Sequence, residues 1–347
     1  MGRRVLLTGL GTFWGGRVAE ALERDPTIDT IIGLGTDEPK VALERTEFVR
    51  ADQSYSILAR IVKATQVDTI VHTFLIVDSS HIKGRQLHEI NVIGTMNLLA
   101  AAAAAGSSVR HIVVKSSSLV YGSSEKDPAW FREETLRPSL PKTRVERSLI
   151  EVEDYLRDFA EDNPHVLVSL LRFSNVVGTD IVTPLTKALQ LPVTPAIFGF
   201  DPLMQFVEED DVVRSIEHVV RNRVPGVFNV AGDGRLPWSE VASICGKRLV
   251  PLPPVLTGIA AMPLDWVGVE LPAEVLDLLR YGRGVDNRRL KTTGFDYRYT
   301  SAGAVESFAR ASRLRAAVGE SRPSYRYEPE VETFLRHSPA VVRSESE

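Results

Sequence analysis

The run Thr8-Gly9-Leu10-Gly11-Thr12-Phe13-Trp14-Gly15-Gly16 has the residue types needed to hold a phosphate. Glycine lets the backbone turn sharply and lets a phosphate approach the peptide closely. A helix starting at this turn offers unpaired N–H groups and the positive end of its dipole to a pyrophosphate. The spacing departs from Gly-x-Gly-x-x-Gly at Trp14 and from Gly-x-x-Gly-x-x-Gly at Thr12. A tight turn without ligand is therefore the competing reading. A second constellation is Lys115 and Ser117, two residues apart and so on one side of a strand. A lysine inside a buried parallel strand is costly unless it is paired or shifted in pKa, which points to a functional amine. The competing reading is that Lys115 emerges at the strand end and pairs with an anion. Glu208-Glu209-Asp210-Asp211 is read as a helix start, where acids favour the dipole. Arg280, Arg283, Arg288 and Arg289 form a basic patch, read either as a holder of a substrate phosphate or as a solvated face. No His/Cys cluster has metal-ligand spacing, so no metal is expected.

These groups need a scaffold, and the chain alternates strand and helix to supply one. Val5–Thr8, Ile28–Leu34, Phe48–Ala51, Thr69–Val77 and His111–Ser117 read as strands, separated by helical spacing at 18–22, 57–64 and 87–105. Repeated βα units imply an α/β fold with a doubly wound parallel sheet. Beyond about residue 175 prolines become frequent, yet 167–173 and 227–230 still read as strands. The expected division is residues 1–175 for the sheet domain, 176–318 for a small irregular C-terminal lobe interleaved with the last strands, and 319–347 for a disordered or loosely draped tail.

Composition narrows the class. The chain has 347 residues, with 41 basic and 45 acidic side chains and a net charge of -4, which argues against a nucleic-acid partner. A single cysteine, Cys245, excludes a disulfide framework and fits a cytoplasmic location. The charge-free stretch Leu249–Leu264 carries four prolines and is shorter than the ~20 residues of a membrane span. It is read as an apolar substrate wall, a dimer patch or a packing segment. No targeting segment is read.

The ordered series of motifs resembles the extended short-chain dehydrogenase/reductases, the NAD-dependent epimerase/dehydratase family. Thr8–Gly15 resembles its nucleotide loop, and Asp52-Gln53 its adenine-contacting pair. Asp68–His72 resembles its fourth strand, Asn91–Leu99 its fourth helix, and Ser116–Gly122 the strand end that carries a catalytic Ser or Thr. Leu171–Gly178, Gly226–Gly232 and Asp286–Leu290 match later segments. The resemblance implies a Rossmann-type domain with a substrate lobe. It implies NAD held by Gly9, Gly11, Thr12, Phe13, Trp14, Gly15, Asp37, Asp52, Gln53, Thr73, Phe74, Leu75, Asn91 and Phe173. The substrate would meet Asn175, Arg280 and Arg283, and Ser117 keeps the family's catalytic hydroxyl position. Lys115 and Tyr121 are the nearby candidates for a displaced catalytic group, although the family counterpart of Tyr121 is mainly structural. NAD is favoured over NADP because Asp37 can accept from the ribose hydroxyls and no adjacent arginine invites a 2′-phosphate. A homodimer is usual for the family.

The sequence also departs from the family. Its chemistry rests on Tyr-x-x-x-Lys, and no lysine of this chain has a tyrosine four residues before it. The two positions fall near Val145 and Leu149, which cannot move a proton. The dehydratase Asp-Glu pair is replaced by Ser118-Leu119, and an arginine usual in sugar epimerases by Met204. After His72 the family has small residues against the cofactor, where Phe74 and Leu75 are bulky. The expected function is an atypical NAD-dependent oxidoreductase or epimerase acting on a secondary alcohol, ketone or nucleotide sugar. The alternative is a non-catalytic dinucleotide-binding sensor or scaffold.

Overall fold

The computed structural model describes residues 2–78, 82, 84–253, 271–318 and 331–343. β1 (Arg3–Thr8) is central in a seven-stranded parallel sheet. On one side of it lie β2 (Ile28–Gly35) and β3 (Thr46–Arg50). On the other lie β4 (Thr69–His72), β5 (His111–Ser117), then the strands Leu167–Phe173 and Gly226–Val230. The chain builds outward from β1 to β3 and then crosses to β4. This reversal opens a crevice beyond the carboxyl ends of β1 and β4, where open α/β sheets bind ligands.

The sheet is buried on both faces, which is why its strands read as continuous apolar runs. Leu6, Ile32, Ile70, Ile112, Val114 and Leu170 pack on one face. Val5, Leu7, Ile31, Val71, Val113 and Leu171 pack on the other. A third cluster around Met204, Phe206, Trp238, Leu278 and Phe308 is the core of the C-terminal lobe. That lobe is less irregular than its prolines suggest, since Glu209–Asn222 and Ser301–Val318 are long helices. Glu208 caps the first of them, its carboxylate accepting from the Asp210 amide, as expected of an acidic helix start.

Three expectations are corrected. β4 ends at His72, not Val77, because the Asn91 side chain takes both backbone groups of Ile76 in place of a ladder. The single helix expected over 87–105 is a helical turn Gly84–His88, a π-helical turn Glu89–Ile93 containing Asn91, and a helix Gly94–Ala103. The loose tail is corrected for 331–343: Val331–His337 is helical, with Phe334 and Ala340 buried against the main core. The Arg4 guanidinium donates to the Ala340 carbonyl, and the Val342 amide donates to Ala64 at 2.8 Å. Residues 319–330 and 344–347 of that tail lie outside the described residues, as do 254–264 of the charge-free stretch. Its described start belongs to the strand Arg248–Leu252, paired with Val193–Ile197.

Candidate active site

The turn after β1 is built as its glycines require. Gly9 has φ of +80°, and a Cβ there would lie 2.6 Å from the Phe74 Cβ. A Cβ on Gly15 would lie 2.0 Å from the Gly9 carbonyl oxygen, and one on Gly11 2.4 Å from that of Asp37. Helix α1 (Phe13–Glu23) follows, capped by Thr12, whose hydroxyl accepts from the Gly15 amide at 3.1 Å and donates to the Gly9 carbonyl at 2.7 Å. First-turn amides such as those of Phe13 and Trp14 have no intrahelical acceptor.

A cleft of ≈ 1280 Å³ opens at this first turn and runs to the end of β5 and the C-terminal lobe. Pockets for one small ligand usually span roughly 300–1,000 Å³, so this space suits an extended molecule or two molecules side by side. Thr12, Phe13, Trp14 and Phe173 line it, as do Lys115, Ser117, Asn175 and Arg283. The residues present thus fit a dinucleotide at its phosphates, with the N-terminal turn of α1 facing free volume.

The structure does not place every expected residue there. Tyr121 stacks on Phe131 and accepts from Arg172 at 2.6 Å while donating to Asn229 at 2.8 Å. Burial pushes its phenol up to about 12, despite the opposing Arg172 charge. Tyr121 belongs to a buried network on the far side, where Arg172 also holds Glu153 and Ser116 donates to Glu153 at 2.7 Å. Asn91 is spent on Ile76 and Ser148. Phe74 is buried edge-on to His72, between Gly9 and Gly94. Thr73 donates to the Thr8 carbonyl at 2.8 Å, and Leu75 packs in the core. Asp37 and Asp52 are exposed, Asp52 accepting from the Ser54 amide, while the Gln53 carbonyl accepts from Asn97. Arg280 stacks near Phe200 and Tyr281 and does not line the cleft.

His72 is fixed as a neutral core group. Thr95 donates to the Asn91 carbonyl, so its oxygen accepts from His72 Nε2–H at 3.0 Å, leaving Nδ1 to accept from Thr8 at 2.9 Å. Burial, with the Lys115 charge behind it, holds the imidazole down at about 3.

The reacting end of the cleft carries different groups. Lys115 is 4% exposed, and its ammonium donates to the Leu75 carbonyl at 3.2 Å. Among the described residues no carboxylate lies within ion-pair distance of it. Burial lowers it to about 8. Ser117 accepts from the Leu119 amide at 3.2 Å, which leaves its own hydrogen free to donate. Arg283 is also 4% exposed and donates to the Gly122 carbonyl at 3.0 Å and to Ser123 at 3.3 Å. Its backbone bridges to Met204. Sequence reasoning missed Arg17, on the cleft wall one helical turn beyond Phe13, which pairs with Asp210 at 2.6 Å and Asp180 at 3.3 Å. Only its i, i+4 spacing from the turn signals it, because both partners are distant in sequence.

The helix onto which the sequence reading puts the two Tyr-x-x-x-Lys positions is Arg144–Asp162, started by a Thr143/Glu146 capping box. Val145 and Leu149 are both 0% exposed in the main core.

The sheet order and its crossing helices define a Rossmann-like α/β architecture. The chain matches the NAD dependent epimerase/dehydratase family over residues 5–231. It is 31% identical over 329 residues to an uncharacterized protein of Mycobacterium tuberculosis (strain ATCC 25618 / H37Rv), covering 92% of this chain and 86% of that one. It is 27% identical over 190 residues to UDP-glucose 4-epimerase 2 of Oryza sativa subsp. japonica, covering 51% and 45%. Its fold is similar to that of MoeE5 in complex with UDP-glucuronic acid and NAD, with a TM-score of 0.69, 20% identity, and coverage of 90% and 99%. This chain belongs to the NAD dependent epimerase/dehydratase family.

Proposed function

We propose that the chain binds NAD along the cleft and catalyses reversible oxidation of a secondary alcohol on a nucleotide sugar, as an epimerase-type enzyme. The observation that carries this reading is the joint presence of the α1 first turn, Ser117 and Arg283 on one cleft wall system. When bound, NAD supplies the hydride chemistry. Thr12, Phe13 and Trp14 would hold its phosphates at the helix N-terminus, with Phe173 lining the same cleft. Ser117 donates to the substrate oxygen and fixes its orientation. Arg283 lies beside Met204, the position where an arginine was expected, and returns a guanidinium to that neighbourhood for the substrate diphosphate. Asn175 lines the same region. The buried Val145 and Leu149 favour a second reading, a dinucleotide sensor without turnover.

The test mixes the purified chain with NAD and then with UDP-glucose or UDP-galactose. Expected are a melting shift with NAD, reduced nicotinamide absorbance on adding sugar nucleotide, and interconversion of the two sugars. A melting shift without either product establishes the sensor reading. No shift with NAD or NADP overturns both.

A further inference from the structure

We infer that Lys115 is the proton-transfer residue of this site, acting in place of the absent tyrosine; the inference rests on the reading above. Lys115 and Ser117 are two residues apart on β5, so their side chains leave the same face of the strand. Their Cα atoms are about 6.6 Å apart at the usual strand rise, which a lysine stem can span. Both residues line the cleft. Ser116, between them, sends its hydroxyl the other way, to Glu153. Among the described residues the amine of Lys115 has a single hydrogen bond, to the Leu75 carbonyl, and a neutral amine so held keeps its lone pair for a substrate proton. Leu75 is itself positioned, because Asn91 clamps its neighbour Ile76 and is tied to Ser148 on the helix Arg144–Asp162.

A structural ion pair would explain a buried lysine, but none is present among the described residues. A solvated strand end would explain it too, but all seven residues of β5 are buried. The titratable groups around it are His72 behind it on β4, Asp78 after β4, and Glu274 and Arg283 on the lobe side of the cleft. Burial brings the amine to about 8, the range in which a general base works best near neutral pH. In the step itself the substrate O–H bond breaks and a new N–H bond forms on Lys115. The carbon-bound hydrogen leaves with its electron pair, which bound NAD would accept, and the alcohol becomes a ketone. Return of that hydride to either face of the ketone takes the proton back from the ammonium.

The experiment has a binding arm, a turnover arm and a labelling arm. Lys115→Arg and Lys115→Met are measured for the NAD melting shift and for reduced nicotinamide formed with UDP-glucose at pH 8. Both variants are expected to keep the shift and to lose turnover by about 100-fold or more, as loss of a general base does. A packing role would be rescued by Arg, so turnover of Lys115→Arg within five-fold of wild type overturns the inference. Wild type is also labelled with acetic anhydride across pH, reading Lys115 against exposed Lys126 by peptide mass. Lys115 is expected to reach half reactivity near pH 8, well below the ordinary lysine range near 10.5, and to be protected by NAD plus UDP-glucose. Half reactivity of Lys115 in that ordinary range, or labelling unchanged when NAD is shown to bind, overturns the inference. Absence of any NAD shift in wild type instead overturns the functional reading on which it rests.

Discussion

The two ends of the cleft region are built on opposite principles. Around the turn after β1, polar and glycine positions are spent on the protein itself: Thr12 on Gly9 and Gly15, Thr73 on Thr8, Asn91 on Ile76, and Gly9 on the close approach of Phe74. At the end of β5, Lys115, Ser117 and Arg283 are buried or nearly so, have few partners, and face free volume. Packed polar groups are the mark of positioning, whereas buried polar groups aimed at empty space are the mark of a ligand. Changes at the first end should therefore appear mainly in stability, and changes at the second mainly in binding and turnover.

The largest effect is expected at the turn. Gly15→Ala sets a methyl against fixed backbone and should cost about 3 kcal/mol in urea unfolding, with loss of the NAD melting shift. At the other end, Arg283→Met should weaken UDP binding about 30-fold in calorimetry, the value of a charge-assisted contact near 2 kcal/mol, and should cost in unfolding no more than its hydrogen bonds to Gly122 and Ser123. If it unfolds the protein instead, the two ends do not differ as described. Ser117→Ala should slow turnover with UDP-glucose about ten-fold, one hydrogen bond's worth, with NAD binding intact.

A separate test of the packed end is a pH dependence shared by the core histidines. His72 is held down at about 3 and His111 at about 4, both chiefly by burial. Between these values and the ordinary histidine range near 6.5, the unfolded chain binds protons that the folded chain refuses. Their contribution is complete above that range and is lost as pH falls through it. The melting temperature should drop between about pH 7 and pH 4. His72→Gln should flatten that slope; an unchanged slope would place the acid sensitivity elsewhere.

Short-range patterns carried the parts of the molecule that sequence reading recovered. The βα turn, the full extent of β5 and the strand Leu167–Phe173 follow from local apolar runs and glycines. Where long-range partners decide, sequence fell short. The apolar run after His72 leaves the sheet because a side chain from the π-helical turn captures its backbone. The helix Val331–His337 docks because Arg4 and Ala64 satisfy backbone groups near its end. Tyr121 is near Ser117 in sequence, yet a helical turn after β5 directs it into the network of Arg172 and Asn229. The aliphatic filling at Val145 and Leu149 was visible in the sequence, but their complete burial was not.

The central claim is that the cleft at the start of α1 holds a dinucleotide whose reactive end meets the wall formed by Lys115 and Ser117. Calorimetric titration of the full chain with NAD, before and after saturation with UDP, tests it most directly. One NAD bound per chain is expected in both titrations, with UDP binding separately and weakened about 30-fold in Arg283→Met. No heat from NAD at millimolar concentration, or UDP displacing NAD from a single shared site, would contradict it.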